Sequence, residues 1–300
     1  MFVSAFIGGD NLNVSTLLLQ LLTGLAYGML LFMIASGMSI IFGLMNVVNM
    51  THGTFFALGA YLAYTFTSQH FGFWVSLILS VIVVGGIGLF IERVLLAPVY
   101  GSHDKEVLMT FGLMFIIADL MKWMWGSNPL TLGVPPILNF SISMGPVMFP
   151  SYRLFVIIIG ILLAFVLWYM ENHTQTGAII RAGVDDRTML GALGINVKFV
   201  FASVFVFGAA LAAFGGVLAG PILSLYNGMD IEVLILSLVI VVIGGLGTWK
   251  GTFIAAILIG LIESMGQVYF PSVSMALIFI FMIAILIVKP TGLFGREVGA

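Results

Sequence analysis

Asn46–Tyr64 reads NVVNMTHGTFFALGAYLAY. Two apolar runs meet in it at a polar knot, Asn49-Met50-Thr51-His52-Gly53-Thr54, and no Lys, Arg, Asp or Glu occurs between Asp10 and Glu92. Unwound backbone in hydrocarbon survives only when it is buried in protein or lines a water-filled cavity. Further on, TWKGTFIAAI (Thr248–Ile257) repeats the core of this stretch: His52-Gly53-Thr54-Phe55-Phe56-Ala57 aligns with Lys250-Gly251-Thr252-Phe253-Ile254-Ala255, 198 residues later. Interrupted apolar segments at corresponding positions of two halves point to a transport site. The two interruptions, near 46–54 and 244–252, are therefore expected to face each other across one working centre.

Working outward, the 300 residues are 61% hydrophobic and 7% charged, against roughly 25% charged in an ordinary soluble domain. That much apolar surface calls for lipid as the solvent. Several uncharged runs reach the ~20 residues that cross a bilayer as helix, and the ~10-residue alternating segments of a barrel are missing. The expected fold is an all-α, polytopic membrane protein with about eight or nine transmembrane helices and a weak internal repeat. Residues 1–300 form a single transmembrane domain.

The expected spans are Ser15–Leu44, His52–Ser68, Phe73–Ala97, Val107–Trp125, Arg153–Met170, Phe199–Gly220, Val233–Gly247, Gly251–Phe270 and Val273–Val288. Met1–Val14 reads as a terminus lying at one face. Gly24 and Gly28, four apart on one helix face, suit close helix packing. Asp119 and Lys122, three apart, read as a self-paired couple or as substrate contacts. Gly126–Tyr152, with five prolines, is too interrupted to span. Glu171–Lys198 is the only long charge-rich stretch. Placing it and the C-terminal tail in the cytoplasm puts eight of ten cations inside, leaving Lys122 and Arg153 outside. Nine crossings then put the N-terminus outside, and eight put it inside.

Several chemistries are excluded. With no cysteine, there is no disulfide, thiol nucleophile or cysteine-held metal. His52, His70, His103 and His173 are scattered without metal-ligand spacing. Gly244-Gly245-Leu246-Gly247-Thr248-Trp249-Lys250-Gly251 superficially resembles a phosphate loop, but that motif needs Gly before the lysine and a hydroxyl after it. Trp249 and Gly251 stand there instead. A net charge of −2 makes no case for a nucleic-acid partner. Nothing points to an enzyme. Asn49, Thr51, His52, Gly53, Thr54, Gly244, Gly245 and Gly247 are the candidate pathway residues. Glu263 joins them, since intramembrane acids usually face an interior or a cavity; burial against a helix end or hydroxyl is its other reading. Lys250 reads as an interface charge.

The run from Gly43 through His52-Gly53-Thr54 to Leu58-Gly59-Ala60-Tyr61 resembles the signature of LivH-type permeases, membrane subunits of branched-chain amino acid ABC importers. Ile180-Arg181-Ala182 through Asp186-Arg187 to Gly194-Ile195-Asn196-Val197 is similar to the cytoplasmic loop of that family. Val242–Gly247, Gly260-Leu261-Ile262-Glu263 and Lys289–Gly295 complete the likeness in chain order. The resemblance implies a permease subunit in a bacterial inner membrane, surrounded by lipid. It implies as partners a second, LivM-like permease, two cytoplasmic LivG/LivF-like ATPases that bind ATP and Mg, and a periplasmic solute-binding protein. This chain itself would bind no cofactor. The resemblance places the coupling segment at about 171–198, with Arg181, Asp185, Asp186, Arg187, Gly194 and Asn196 docking on an ATPase. Two departures stand out: Thr54 replaces the acid common after His-Gly, and Thr188-Met189-Leu190 replaces a Glu-Ala-Ala pattern. Branched-chain amino acids are thus the default solute, with urea, short amides and aromatic acids carried by related systems. A stand-alone channel or secondary carrier is the rival reading, expected to show ATP-independent flux from this chain alone.

Overall fold

A helix satisfies its own backbone hydrogen bonds, so a chain this apolar folds into helices and sorts them by how much protein surrounds each one. The computed structural model describes residues 14–145, 147–185 and 187–295, and the backbone alone at 185 and 187–189. Residues 1–13, Pro146, Asp186 and 296–300 lie outside the described residues, and with them the expectation for the N-terminal stretch. The helices are α1 (Val14–Met45), α2 (His52–Ser68), α3 (Phe73–Phe90), α4 (His103–Trp125), α5 (Ser151–His173), α6 (Gln175–Asp185), α7 (Arg187–Ala192), α8 (Val197–Ala219), α9 (Met229–Gly244), α10 (Trp249–Tyr269) and α11 (Ser274–Val288). Helix α3 continues through a π-type turn, Ile91–Leu96, and a short 3₁₀ turn, Ala97–Val99.

Among the described residues seven helical spans are long and apolar enough to cross a membrane, the last counted from Pro271 through α11 to Val288; α2 and α9, at 17 and 16 residues, fall short of that length. Helix α1 is the centre of the bundle. Its apolar window is 83% buried, against 6% for the last helix. Helices α5, α8, α9 and α10 pack on α1, and α2 packs chiefly on α8, while α3, α4, α11 and the outer side of α5 form a rim whose Ile, Leu and Phe side chains, such as Ile116, Phe165 and Ile280, point outward. That is the arrangement lipid allows, because an exposed apolar side chain costs nothing there.

Tight approach needs small residues, and the Gly24/Gly28 face supplies it. A Cβ added at Gly28 would lie 2.7 Å from the Ala256 carbonyl oxygen, and one at Gly24 would lie 2.8 Å from that of Gly260. Helices α1 and α10 therefore touch backbone to backbone. Packing replaces the hydrophobic effect as the source of helix association in lipid.

Contacts at the helix ends define two faces. On the first, Arg153 donates to Thr23 Oγ1 (3.0 Å), Trp125 Nε1 to Thr65 Oγ1 (2.7 Å) and Asn227 to the Gly126 carbonyl (3.3 Å). On the second, Gly183 of α6 packs on Leu44, Gly43 packs on Gly247, and the tail pairs with the end of α9. The nine membrane-level helices thus alternate, and the described chain starts and ends on opposite faces. Of the two crossing counts left open by the sequence, this is the nine-crossing one. Arg93, Lys105, Arg181, Lys198, Lys250 and Lys289 belong to the second face, and Lys122 and Arg153 to the first. The positive-inside rule makes the second face cytoplasmic.

The proline-rich connection is more ordered than its sequence indicates. After a 3₁₀ turn, Pro136–Leu138, strands β1 (Ser141–Met144) and β2 (Val147–Pro150) pair antiparallel with Met144 opposite Val147. Gly145, at φ 62°, makes the tight turn between them. Phe149 of β2 packs with Ala26 of α1. The hairpin is a small β addition to an otherwise helical protein.

Candidate functional site

After Met45 the chain reverses. Asn46 takes a left-handed φ of 53°, a conformation Asn tolerates better than other side chains. The chain then climbs back along α1, and α2 begins where His52 Nε2 meets the Ile34 carbonyl at 2.9 Å. Ile34 is eleven residues before Met45, so this return covers about 16 Å of helix rise. The polar knot therefore sits near mid-membrane depth.

Most of its polar groups are satisfied locally, as burial demands. The Asn49 amide oxygen accepts from the Thr51 hydroxyl (2.5 Å) and the Thr51 backbone N–H (3.1 Å), and Thr54 Oγ1 donates to the Thr51 carbonyl (2.7 Å). Asn49, Thr51, His52 and Thr54 are each at most 2% exposed. A carbonyl can only accept, so the Ile34 contact fixes the His52 proton on Nε2. Asn49 Nδ2 and His52 Nδ1 are left buried without a partner. Thr54, which stands where an acid was expected, spends its hydroxyl closing this turn. Gly53 presses α2 onto α9: an added Cβ there would collide with the Asp230 carbonyl oxygen and lie 2.7 Å from Leu234 Cβ.

The second interruption differs in depth. Helix α9 ends at Gly244, and Gly245 (φ 100°) and Gly247 (φ 77°) make a turn that only glycine adopts without strain. Thr248 Oγ1 donates to the Gly245 carbonyl at 2.7 Å. The tail caps the end of α9, with Leu293 N donating to Ile243 O (2.7 Å) and Phe294 N to Gly244 O (3.0 Å). This turn lies at the cytoplasmic face, against the last turn of α1, where a Cβ on Gly43 would sit 3.0 Å from Gly247 Cα.

The two interruptions meet different neighbours. Gly43, just before the first interruption, packs on Gly247 of the second, while Asn49–Thr54 itself lies against the Ile34 carbonyl of α1 and the Asp230 carbonyl of α9. The shared sequence reports a shared local task. Gly53 and Gly251 each admit a close backbone, that of α9 and of Gly244 respectively, and Thr54 and Thr252 each bond a carbonyl one turn back. Both repeats start a helix running from the cytoplasmic side, so the repeat is parallel. Glu263 lies on the outer half of α10, beside Ser264, whose hydroxyl bonds Gln20. One Glu263 oxygen accepts from Gln267 (2.8 Å) and the other is buried without a partner. It is not brought to the knot.

The described candidate coupling residues lie on α6, α7 and the turn into α8, at the cytoplasmic face. Arg181 is half-buried on α6, with Nη1 unpartnered. Asp185 ends α6 and Arg187 begins α7, and Asp186 falls outside the described residues. Gly194 turns the chain at φ 81°. Asn196 caps α8, its side-chain oxygen accepting from Phe199 N (3.2 Å).

Two features went unread in the sequence. Trp249 Nε1 donates to the Glu171 carboxylate, tying the start of α10 to the end of α5, where the candidate coupling segment begins. At the opposite face, a cavity of about 110 Å³ is lined by Asp230, Asp119, Lys122, Tyr61, Tyr226 and Asn227. The self-paired reading of Asp119 and Lys122 is corrected: among the described residues the ion pair is Arg93–Glu92, at 3.6 Å. No group of three or more metal-ligating side chains occurs among the described residues.

Nine alternating helices, a buried polar turn at mid-depth and a lipid-facing rim define a multi-pass membrane permease. The chain belongs to the family described as branched-chain amino acid transport system / permease component, which matches residues 20–288. It is similar to the high-affinity branched-chain amino acid transport system permease protein BraD of Pseudomonas aeruginosa, 28% identical across 92% of this chain and 95% of that one. The corresponding LivH of Escherichia coli K12 is 25% identical over the same shares. Among solved structures, PsaBC from Streptococcus pneumoniae in complex with Fab has a TM-score of 0.50 at 10% identity, covering 95% of this chain and 94% of that chain. That likeness is one of fold alone.

Proposed function

We propose that this chain is the LivH-like subunit of a binding-protein-dependent importer that moves branched-chain amino acids inward by ATP-driven alternating access. Its partners in this reading are a LivM-like permease, two cytoplasmic ATPases that hold ATP and Mg, and an external solute-binding protein. The observation that carries the reading is the linked set of contacts on the cytoplasmic face. Helix α6 rests on the end of α1 through Gly183 and Leu44, α1 rests on the second turn through Gly43 and Gly247, and Glu171 ties that turn back to α5 through Trp249.

A push on α6–α7 from a closing ATPase would therefore reach both α1 and α10. Helix α1 carries at its middle the Ile34 carbonyl that holds His52. The four polar residues of the knot are closed off, each at most 2% exposed, so solute passage requires these packed elements to change arrangement. Packed interfaces of this kind are bistable rather than continuously deformable. Weak contact with the solute suffices here, because tight binding by the permease would hinder release.

Co-expression with the products of adjacent genes, followed by affinity purification of this chain, tests the subunit assignment. Two ATPases and a second permease should copurify. Recovery as a transport-active homo-oligomer without ATPases would overturn it, and favour the stand-alone carrier.

A further inference from the structure

We propose that the cavity around Asp230 at the outer face is an entry site for the charged head of a zwitterionic α-amino acid, with the Asp230 carboxylate receiving the ammonium group and Lys122 the carboxylate. The proposal rests on the importer reading and gives it a place of first contact.

Asp230 is 3% exposed, and its Oδ2 is buried with no hydrogen-bond partner among the described residues. Burying a carboxylate oxygen unpaired is costly. Its place in the first turn of α9 offsets part of that cost, because acids are favoured at a helix's positive end. Backbone N–H groups at Gly228, Asp230 and Ile231 hydrogen-bond the carboxylate, but they carry no full positive charge and leave Oδ2 without a partner among the described residues; the cavity beside it is where a cationic group fits.

The opposite charge is at hand on α4. Lys122 and Asp119 line the same cavity and make no ion pair with each other, so the ammonium of Lys122 is free to meet a carboxylate. A second acid, Asp119, adds to the preference for a cation near Asp230. The volume, about 110 Å³, falls below the ~300 Å³ at which pockets begin to enclose a whole drug-sized ligand. It holds an ammonium, an α-carbon and a carboxylate and leaves the side chain toward the mouth. Such a site reads the head shared by all α-amino acids and is indifferent to branching.

Position links the cavity to the knot. The carbonyl of Asp230 is the group against which Gly53 packs, and Ala57 and Tyr61 of α2 line the same cavity. A head group bound at Asp230 would thus stand directly above the start of α2.

The test exploits the absence of native cysteine. Asn227 is exposed at the cavity rim, and Asn227→Cys places a single thiol there in the full chain, in membranes carrying the assembled transporter. Its labelling by a methanethiosulfonate reagent is followed with and without L-leucine, in the absence of ATP. L-leucine should slow labelling. Isopentylamine, which lacks the carboxylate, and 4-methylpentanoate, which lacks the amine, should each protect roughly tenfold more weakly, as expected when one charged hydrogen-bonded contact is lost. Adding Asp230→Asn or Lys122→Met should weaken leucine protection by a similar factor, with membrane levels of the protein as the folding control. Equal labelling with and without leucine, or protection by either fragment equal to that by leucine, would overturn the proposal. So would full protection in the Asp230→Asn background. Because ATP is absent, a failure of driven uptake leaves this result unaffected.

Discussion

The indole N–H of Trp249 donates to the carboxylate of Glu171 across 78 residues of sequence, joining the first turn of α10 to the last turns of α5. It ties the entrance of the proposed coupling segment to the turn on which α1 and the tail both rest. Trp249→Phe keeps the ring and deletes the donor, and Glu171→Gln keeps the shape and removes the charge. Bonds to charged groups contribute about 1.5–3 kcal/mol. Each variant should therefore lower uptake per ATP hydrolysed by roughly tenfold with normal membrane levels. Paired measurement of ATPase rate and uptake in proteoliposomes checks this, and an unchanged ratio would count against the link.

Gly53 separates packing from composition. An added methyl there would strike the Asp230 carbonyl and crowd Leu234, whereas at Gly86 on α3 it would meet nothing within 4 Å. Gly53→Ala should lose about 1–3 kcal/mol through overpacking, seen as a lower melting temperature in detergent. Gly86→Ala should melt at the wild-type temperature or slightly above, since alanine is the better helix former. Equal melting of the two variants would contradict the close α2–α9 contact.

Arg181 presents a half-buried guanidinium whose Nη1 has no partner among the described residues, on the proposed coupling face. Arg181→Glu reverses the charge that an ATPase surface would meet. Uptake should fall by roughly tenfold or more while the protein still inserts, and the ATPases should copurify less well. Normal uptake together with normal copurification would remove Arg181 from the docking surface.

Much of the fold was legible because lipid imposes simple rules. Uncharged apolar runs gave the spans to within a few residues, and Lys/Arg placement separated the faces. The Gly24/Gly28 spacing marked the α1–α10 contact. The knot at Asn49–Thr54 was legible as an interruption, since polar residues there have no other explanation. Its depth was not, because depth depends on how far the chain climbs back along α1 to reach the Ile34 carbonyl. The repeat at Lys250–Ala255 is a local signal of the same kind. It encodes a helix start with a close backbone neighbour, a local requirement met once at mid-depth and once at the face. Trp249–Glu171 and the Asp230 cavity were hidden altogether, being products of α4, α5, α9 and α10 meeting in space. The hairpin at 141–150 was masked by the prolines around it.

The most direct measurement of the central claim is L-leucine uptake into proteoliposomes holding this chain with its copurified partners, with the binding protein outside and ATP inside. Uptake should appear only with ATP, the ATPases and the binding protein together, and should vanish when the ATPases are omitted. Leucine flux through this chain alone, insensitive to ATP, would contradict it.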